Sequence, residues 1–415
     1  MKTSSARRSF VAALAVVVTA SVATVTGVSA AAERPAHLST AAAVAANNWN
    51  NTAVTPLSRR NGFTDIVYVG AQGRIHADTR FPDTNDWFPQ YLNRGEAAPD
   101  TKVTGVSRYA GRLDVFAIGT DRNVWTAYLD EDVDGRGSLT WHGWFELPGL
   151  KVDRGSSVHV VASSRDTMDL FSINEDGRPY TIRWTAQDDW GTWRRLDNSD
   201  ENFIAGFGAE VTAVAVGRDI HVFSGRAVYG RFQGTNIVYT KRFVGGQWSR
   251  WEEMNPDTAV TAGSEVVPVR RRVTSTAIDL FVVTPDPVQS AEPQGLSTAT
   301  WNGESWSLFM PLLDRSPRHF TTVSGVSRER RNVDVFMVDE DRSVMTAAWN
   351  AADGWHGWWP LGGVVGLNSS VGAFSDGVGD LQIFVHGDDM NAVFPIWTRR
   401  WSSASGWGAW ENVVP

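Results

Sequence analysis

One loop of the sequence has the residue pattern of a calcium-binding loop. Residues 130–137 read Asp-Glu-Asp-Val-Asp-Gly-Arg-Gly, so carboxylates alternate at Asp130, Asp132 and Asp134. Alternate carboxylates in a tight loop can converge on one Ca²⁺, and the glycine permits a sharp turn. The twelfth position is Trp141, where an EF-hand has a bidentate glutamate. Two interpretations stay open: a Ca²⁺ site completed by other oxygen ligands, or a solvated acidic hairpin.

Aspartate also recurs two residues before a repeated aromatic position. His221 and Gln382 fill the equivalent place in two further repeats. The five aspartates are Asp65, Asp114, Asp169, Asp279 and Asp334. A catalytic carboxylate pair is placed once and asymmetrically, so recurrence in nearly every repeat favours a structural role for these groups. Arginines that recur just upstream are expected to be solvated turn residues or partners of these aspartates, at Arg59, Arg108, Arg165, Arg218, Arg271 and Arg328.

Tryptophan pairs with the spacing Trp-x-x-Trp close five of the repeats. They are Trp141/Trp144, Trp190/Trp193, Trp248/Trp251, Trp355/Trp358 and Trp407/Trp410. Residues three apart on a regular strand point to opposite faces. One ring of each pair is therefore expected to pack on a neighbouring repeat and the other to meet solvent or a ligand. For any single tryptophan, packing between repeats is the favoured role. His142 and His356 share the context Trp-His-Gly-Trp, which marks them as repeat features and not as a metal pair.

Four aromatic residues are candidate sugar contacts. They follow the start of the third predicted strand in their repeats and differ from one repeat to the next, as Trp125, Tyr180, Tyr239 and Trp397. His76, Ser297 and Met345 fill the same position elsewhere. Because the C–H faces of sugars pack well on aromatic rings, the sequence predicts carbohydrate contacts at these four residues.

Several classes of function are disfavoured by the sequence. It contains no Gly-x-Ser-x-Gly, His-Glu-x-x-His, phosphate-loop or dinucleotide-binding pattern. It has no cysteine, which excludes thiol chemistry, disulfides and Cys-ligated zinc. The formal net charge of -8 argues against nucleic acid and anionic membranes as partners. No apolar run beyond the N-terminal one is long enough to be inserted across a membrane.

The elements that must position these residues repeat seven times. The aromatic position recurs at intervals of 48 to 58 residues, as Val67, Phe116, Phe171, Phe223, Phe281, Phe336 and Phe384. In the second unit, strands are predicted at 103–108, 113–118, 124–129 and 144–147. Short strands, polar turns and a fixed period predict an all-β fold: a seven-bladed β-propeller of four-stranded antiparallel blades. A large residue recurring five positions after each third-strand start is expected to fill the gap between blades.

Three segments are predicted along the chain. Residues 1–30 have a basic start, an apolar stretch and a small-residue cleavage site, which together are typical of an export signal peptide. Arg7 and Arg8 resemble a twin-arginine signal, so export by the Sec or the twin-arginine route is expected. Residues 31–50 form an Ala-rich linker, and the seven-bladed propeller occupies residues 51–415.

The second repeat resembles a known family. Residues 111–125 and 141–149 resemble the repeats of seven-bladed bacterial lectins typified by the Photorhabdus fucose-binding lectin. In that family, fucose and O-methylated sugars bind in shallow pockets between neighbouring blades. The resemblance implies the same fold and carbohydrate binding here, but it identifies no individual pocket residue.

The sequence thus favours a secreted, multivalent carbohydrate-binding protein without catalytic activity. One alternative is a glycoside hydrolase or polysaccharide lyase, with its site on the rim formed by the predicted loops 224–236 and 284–295. The other is a protein-interaction scaffold, which is favoured if the grooves between blades are filled by the protein's own side chains.

Overall fold

The computed structural model shows a ring of seven antiparallel β-sheets. It describes residues 53–413 except 60–62, 71–72, 83–85, 99–100, 132–138, 154, 199, 207, 228–234, 273–275, 286–292, 313–322, 330, 364, 367–368, 376–378 and 388–394. The described residues contain no α-helix, and each sheet is one blade. The predicted seven-bladed propeller is confirmed.

Blades 1 to 4 follow one another along the chain. Blade 1 has β1 (Thr55–Ser58), β2 (Thr64–Val69), β3 (Arg74–Arg80) and β4 (Trp87–Glu96). Blade 2 has β5 (Thr104–Val106), β6 (Arg112–Ile118), β7 (Val124–Glu131) and β8 (Leu139–Leu147). Blade 3 has β9 (His159–Ser164), β10 (Thr167–Ile173), β11 (Pro179–Thr185) and a divided outer strand, β12 (Asp189–Trp190) and β13 (Arg194–Arg195). Blade 4 has β14 (Val211–Val216), β15 (Asp219–Ala227), β16 (Thr235–Val244) and outer segments β17 (Gln247–Trp248), β18 (Glu252–Glu253) and β19 (Ala259–Thr261).

Blades 5 to 7 complete the ring. Blade 5 has β20 (Val267–Arg270), β21 (Ile278–Pro285), β22 (Pro293–Trp301) and β23 (Met310–Pro311). Blade 6 has β24 (Ser324–Glu329), β25 (Asn332–Val338), β26 (Val344–Asn350) and β27 (Gly354–Gly362). Blade 7 has β28 (Gly372–Phe374), β29 (Leu381–His386), β30 (Ile396–Ser402) and β31 (Gly406–Asn412).

Among the described strands, the ring closes by packing and not by exchange of a strand. The first strands of successive blades contact one another around the centre, and β28 returns to β1. Blades 1 and 7 are each built from one continuous stretch of chain. At their junction, Trp87 meets Phe384 edge to face, with ring centroids 5.8 Å apart.

The repeated phenylalanine is the centre of each junction. All seven residues at that position are fully buried. Six of them are phenylalanines that meet the first tryptophan of the next blade at 84–90° and 5.5–6.1 Å, as Phe116/Trp190, Phe171/Trp248, Phe223/Trp306, Phe281/Trp355, Phe336/Trp407 and Phe384/Trp87. At the junction of blades 1 and 2, Val67 and Trp141 share one apolar cluster. Edge-to-face pairs are favourable beyond their buried area, so this contact explains the strict repeat.

The expectation that the two tryptophans of a pair face opposite sides is wrong. Trp141 and Trp144 pack in the same cluster against blade 1, and Trp355 and Trp358 pack together against blade 5. The reason is a β-bulge between the paired residues, seen as a register shift opposite β7 and β26. The extra residue returns the second ring to the face of the first. Blade 1 has no shift at this place, so Gln90 lies on the face opposite Trp87.

A second repeated contact joins an aspartate, an arginine and an indole. Arg108 pairs with Asp114 at 2.7 Å, and its guanidinium lies 3.9 Å over the Trp184 ring of the next blade. Further Arg–Asp pairs are Arg59/Asp65, Arg271/Asp279 and Arg328/Asp334. Arg271 lies over Trp349, and Arg328 lies over Trp401. The structural role predicted for the repeated aspartates is confirmed at these sites.

Blades 3 and 4 make the same cation–π contact with a different arginine. In blade 3, Asp169 pairs with Arg183 of the third strand, and Arg183 lies 4.3 Å over Phe243 of blade 4. In blade 4, Arg242 lies over Trp301 of blade 5. Arg165, which the sequence offers as a partner for Asp169, instead lies 4.6 Å over the Tyr109 ring. The contact between blades is therefore retained although the arginine comes from another strand.

Candidate functional site

A pocket of about 620 Å³ opens between blades 1 and 2. Blade 1 contributes the starts and ends of its outer strands, and blade 2 contributes the turn between β6 and β7 and two indoles. The lining residues are Arg74, Ile75, Tyr91, Leu92 and Glu96 from blade 1, and Ala117, Gly119, Thr120, Asp121, Trp125 and Trp144 from blade 2. The pocket therefore lies at a blade junction, on the side of the ring where the second and third strands are joined.

Trp125 is held in this pocket by the turn that precedes its strand. Its indole N–H donates to the Asp121 carboxylate at 3.2 Å. The ring lies against Gly119, where a Cβ atom would be only 2.8 Å from Trp125 Nε1 and 2.6 Å from an Asp121 oxygen. Glycine at the end of β6 thus permits the indole to lie close to the backbone. Trp125, predicted as a sugar contact, lines the pocket.

Asp121 is the ordered acceptor of the pocket. Its carboxylate also accepts hydrogen bonds from the Asn123 backbone N–H and side chain, at 3.0 and 2.9 Å. Burial acts to raise the pKa of Asp121, but these hydrogen bonds, the Trp125 indole and the Lys151 charge lower it below its usual range. The group is therefore ionised at neutral pH and can accept a hydrogen bond from a ligand hydroxyl.

Trp144 forms a fixed wall of the same pocket. Its indole N–H donates to the Leu92 carbonyl of blade 1 at 3.2 Å. Behind it, Ala97 of blade 1 bridges to Gly119 of blade 2, which joins the two blades at the base of the pocket. The wall is rigid because its polar edge is already hydrogen-bonded across the junction.

The rim of the pocket is charged and exposed. Arg74 and Glu96 face each other across the β3–β4 ladder. Arg74 supplies a cation with several hydrogen-bond donors, and Glu96 supplies a carboxylate acceptor, beside the Trp125 and Trp144 indoles. Aromatic walls with a few convergent polar groups suit a small amphipathic ligand such as a pyranose. Among the described lining residues, no nucleophile with an adjacent base is present.

The junction of blades 6 and 7 repeats this arrangement around Trp397. A Cβ on Gly387 would lie 2.5 Å from Trp397 Nε1, as Gly119 lies under Trp125. The Trp410 indole donates to the Leu361 carbonyl of blade 6 at 3.0 Å, as Trp144 does to Leu92. Val365 bridges to Gly387 in the position of the Ala97 bridge. The structure therefore gives Trp397 the same backbone setting as Trp125.

Tyr239 lies in a junction that the protein fills with its own side chains. Its hydroxyl donates to Glu253 at 2.8 Å, and its ring meets Phe203 at 5.4 Å. Phe203 comes from the crossover between blades 3 and 4, is 2% exposed and stacks on Trp251 at 4.4 Å. The space equivalent to the pocket at Trp125 is thus occupied by Phe203.

The surroundings of Tyr180 are intermediate between those of Trp125 and Tyr239. It is half-buried and packs against the apolar cluster that joins blades 2 and 3. The Trp193 indole of the same blade donates to the Leu147 carbonyl at 3.3 Å, so this junction has the same kind of tryptophan wall as the pocket at Trp125. The remaining members of the series differ: Ser297 and Met345 are buried, and His76 stacks on Tyr68 at 4.9 Å.

The predicted calcium loop lies largely outside the described residues. Asp132 and Asp134 fall in the undescribed range 132–138. Asp130 is the next-to-last residue of β7; its side chain is 43% exposed and pairs with Arg112 at 2.7 Å. The described residues contain no cluster of three metal-ligating side chains. The Ca²⁺ site at Asp130, Asp132 and Asp134 stays a prediction.

The long loops predicted in blades 4 and 5 are shorter than the sequence indicated. β15 continues to Ala227 and β16 begins at Thr235, so most of the segment 224–236 that the structure describes is a paired hairpin. β21 and β22 likewise extend to Pro285 and from Pro293. The cross-strand ladder extends because Ser224 to Ala227 find partners from Asn236 to Tyr239.

Sequence reasoning missed the polar part of the pocket. Asp121, Arg74 and Glu96 were not singled out, because they lie in turns and at strand ends that differ between repeats. The available signal was Gly119 followed by Asp121 two residues later, immediately before an aromatic third-strand position.

Solved structures with a similar fold include several lectins. The BP39L lectin from Burkholderia pseudomallei has a TM-score of 0.70 at 17% identity, covering 87% of this chain and 99% of that one. AofleA from Arthrobotrys oligospora gives 0.52 at 14% identity, with coverages of 75% and 85%. The six-bladed Aleuria aurantia lectin, for which a fucose recognition mode is reported, gives 0.50 at 12% identity, with coverages of 88% and 96%.

These similarities establish the fold and confirm, at that level, the resemblance seen in the repeats. No protein-family model matches the chain, and no curated protein matches it in sequence. Within the described residues, no helix is long and apolar enough to cross a membrane.

Proposed function

We propose that the protein is an exported lectin that binds carbohydrate in pockets between its blades. The observation that carries the proposal is the pocket between blades 1 and 2, where two fixed indoles stand beside an ionised carboxylate, an arginine and a glutamate. An indole face packs against the C–H face of a sugar, and the charged groups hydrogen-bond its hydroxyls. Trp397, in the same backbone setting, is the second proposed contact.

The other two predicted contacts, Tyr180 and Tyr239, differ in their expected ability to bind sugar. Tyr180 keeps an equivalent tryptophan wall and is proposed as a weaker site. Tyr239 is not proposed as a sugar contact, because Phe203 occupies the space in front of it. Several weak sites on one rigid ring gain avidity on a surface that carries many glycans.

Export and ligand identity are parts of the same proposal. The basic start, apolar stretch and small-residue cleavage site of residues 1–30 support secretion. The Aleuria aurantia lectin has been solved with α-methyl-L-fucoside. Fucose and its methyl glycosides are therefore the first probes to use.

The test is calorimetric titration of the folded protein with methyl α-L-fucoside and a panel of other monosaccharides, together with a glycan array. Trp125→Ala and Trp397→Ala are each expected to weaken binding more than tenfold at their own site. Tyr239→Phe is the matched control at the filled junction and is expected to bind as the wild type does. A wild-type protein that binds no sugar in either assay contradicts the proposal.

A further inference from the structure

The outermost strands of blades 2 and 6 share a short sequence, of which the pocket between blades 1 and 2 uses only Trp144. Residues 141–145 read Trp-His-Gly-Trp-Phe, and residues 355–359 read Trp-His-Gly-Trp-Trp. The bulge in each strand turns both tryptophans toward the preceding blade. The histidine and the last aromatic residue therefore lie together on the opposite face of the strand. We call these groups the outer strips: Tyr128, His142 and Phe145 in blade 2, and His356 and Trp359 in blade 6.

The last aromatic residue of each strip is exposed to solvent. Phe145 is 52% exposed and Trp359 is 47% exposed. The equivalent residues of blades 3, 4 and 7 are charged and exposed, as Arg194, Glu252 and Glu411. The propeller therefore folds with a charged residue at this position, and the packing of the blade does not require an aromatic ring there.

The strip in blade 2 is built as a stack across three strands. The Arg112 guanidinium lies 3.8 Å over the Tyr128 ring, and the Tyr128 ring lies parallel to His142 at 4.4 Å. Phe145 is also close to parallel with Tyr128, at 6.3 Å and 21°. Arg112 is held in turn by Asp114 and Asp130, at 3.0 and 2.7 Å. The rings are thus kept in order before any ligand binds, which reduces the entropy lost on binding.

The strip in blade 6 has polar groups at one end. The His356 and Trp359 rings are close to parallel, at 6.4 Å and 24°. The Asn350 side-chain amide donates to His356 Nε2 at 2.8 Å. The ring proton of neutral His356 is therefore on Nδ1, where it is a donor for a ligand. Asp353 approaches the same imidazole at 4.0 Å.

We propose that the two outer strips bind neutral glycan chains at a second class of site, apart from the pockets between blades. An exposed aromatic ring matches the C–H face of a pyranose, and the histidine and its polar neighbours match the hydroxyls. Asp353 beside the blade 6 strip disfavours uronic and sialic acids there through like-charge repulsion. In blade 2 the charge of Asp130 is balanced by Arg112.

The size of the strips favours a glycan over a protein partner. A stable protein interface buries about 800 Å² on each partner, which two or three rings flanked by polar side chains do not supply. The two strips also lie on separate blades, so each presents its own small apolar surface. A chain of sugar rings requires only such a narrow surface. The outer strips share no residue with the pocket at Trp125, so the two proposals stand or fail separately.

The test is affinity electrophoresis of the full chain in native gels that contain soluble neutral polysaccharides: a mixed-linkage β-glucan, a xyloglucan, a galactomannan and an α-mannan. At least one gel is expected to retard the wild-type protein. The double variant Phe145→Ala, Trp359→Ala is expected to lose at least fivefold in apparent affinity in that gel. Arg194→Ala, the same position in blade 3, is the matched control and is expected to be retarded as the wild type is. Circular dichroism and thermal melting of each variant check the fold.

A second variant separates the strips from the pockets. Trp125→Ala combined with Trp397→Ala is expected to keep part of the retardation, although it has lost the binding of monosaccharides at those two pockets. The proposal is overturned if no gel retards the wild-type protein, or if the double variant of the strips is retarded as strongly as the wild type in every gel. It is also overturned if removal of the two pocket tryptophans alone abolishes all retardation.

Discussion

The junction of blades 1 and 2 and the junction of blades 3 and 4 have the same frame but different contents. Both have an aromatic residue after the start of the third strand and a tryptophan in the outer part of the blade, as Trp125 with Trp144 of β8 and Tyr239 with Trp251, which lies between β17 and β18. In the first junction these rings line a pocket of about 620 Å³. In the second, Phe203 stacks on Trp251 and meets Tyr239.

Whether a junction is open or filled depends on the chain segment that crosses from one blade to the next. Between blades 1 and 2 the described part of the crossover places small residues, Ala97 and Ala98, across the junction. Between blades 3 and 4 it places Glu201 and Phe203 there, and Glu201 pairs with the buried Lys241 at 2.9 Å. A repeated frame therefore specifies where a site can exist, whereas the connection that does not repeat decides whether the site is open.

The strongest test of the difference between open and filled junctions is Phe203→Ala, which empties the filled junction. Phe203 is 2% exposed and contacts two rings, so its loss removes buried apolar area and leaves a cavity. Removal of a buried phenylalanine costs about 3–5 kcal/mol. We expect the free energy of unfolding to fall by this amount, as measured by urea denaturation.

The control for this substitution is Ile204→Ala. Ile204 is the next residue of the same crossover but is 44% exposed. Its removal is expected to change the free energy of unfolding by less than about 1 kcal/mol. If Phe203→Ala is as harmless as Ile204→Ala, then Phe203 is not a structural plug and the distinction between open and filled junctions fails.

Particular residues show how far the sequence could predict the structure. The repeated phenylalanines and the first tryptophans predicted the blades correctly, because each makes one contact that recurs at every junction. Trp125 was predicted as a sugar contact for the opposite reason, because the residue at its position differs from one repeat to the next. Phe203 was not identified, because it lies in a crossover without counterparts in the other repeats. Its role depends on the path of the chain between two blades.

The two faces of the Trp-x-x-Trp pairs show a different limit. Regular strand alternation predicts opposite faces for Trp141 and Trp144, and the structure places both against blade 1. A bulge is one extra residue in a ladder, so it is defined by the pairing of two strands and not by either strand alone. The same bulge creates the outer strip of blade 2, which the sequence pattern did not reveal.

A third kind of junction makes a contribution to stability that depends on pH. Between blades 7 and 1 the groove holds Tyr68, His76 and Asp78, and Tyr68 donates to Asp78 at 3.0 Å. Asp78 is fully buried. Burial raises its pKa to about 6, although hydrogen bonds from Tyr68 and the Gln90 backbone act to lower it. The folded protein is therefore more stable when the Asp78 carboxyl in this groove is protonated.

The sign of the effect follows from the raised pKa. Between about pH 4 and pH 6 the folded state binds more protons at Asp78 than the unfolded state, so this residue's contribution to stability falls as pH rises. At about 1.4 kcal/mol per pKa unit, the loss reaches up to about 3 kcal/mol above pH 6. Asp78→Asn is neutral at every pH and still accepts the Tyr68 hydrogen bond.

We therefore expect Asp78→Asn to gain stability relative to the wild type between pH 4.5 and pH 7.5. The measurement is the difference in the free energy of unfolding between variant and wild type at both values, which cancels the titration of all other groups. Asp380→Asn is the control, since Asp380 is 42% exposed in its ion pair with Arg400. A difference that does not change with pH contradicts the assignment of a raised pKa to Asp78.

Gly119→Ala changes the open junction itself and is expected to have a smaller effect, a loss of sugar affinity. A Cβ there would lie 2.8 Å from Trp125 Nε1 and 2.6 Å from an Asp121 oxygen, so the indole must move into the pocket or lose its hydrogen bond. We expect sugar affinity at this site to fall about tenfold, which corresponds to about 1.4 kcal/mol. Gly143→Ala is the matched control, because a Cβ at Gly143 meets nothing within 4 Å. If calorimetry shows equal affinity for both variants, the close approach of Trp125 to the turn does not shape the site, and the proposed geometry of the open junction is wrong.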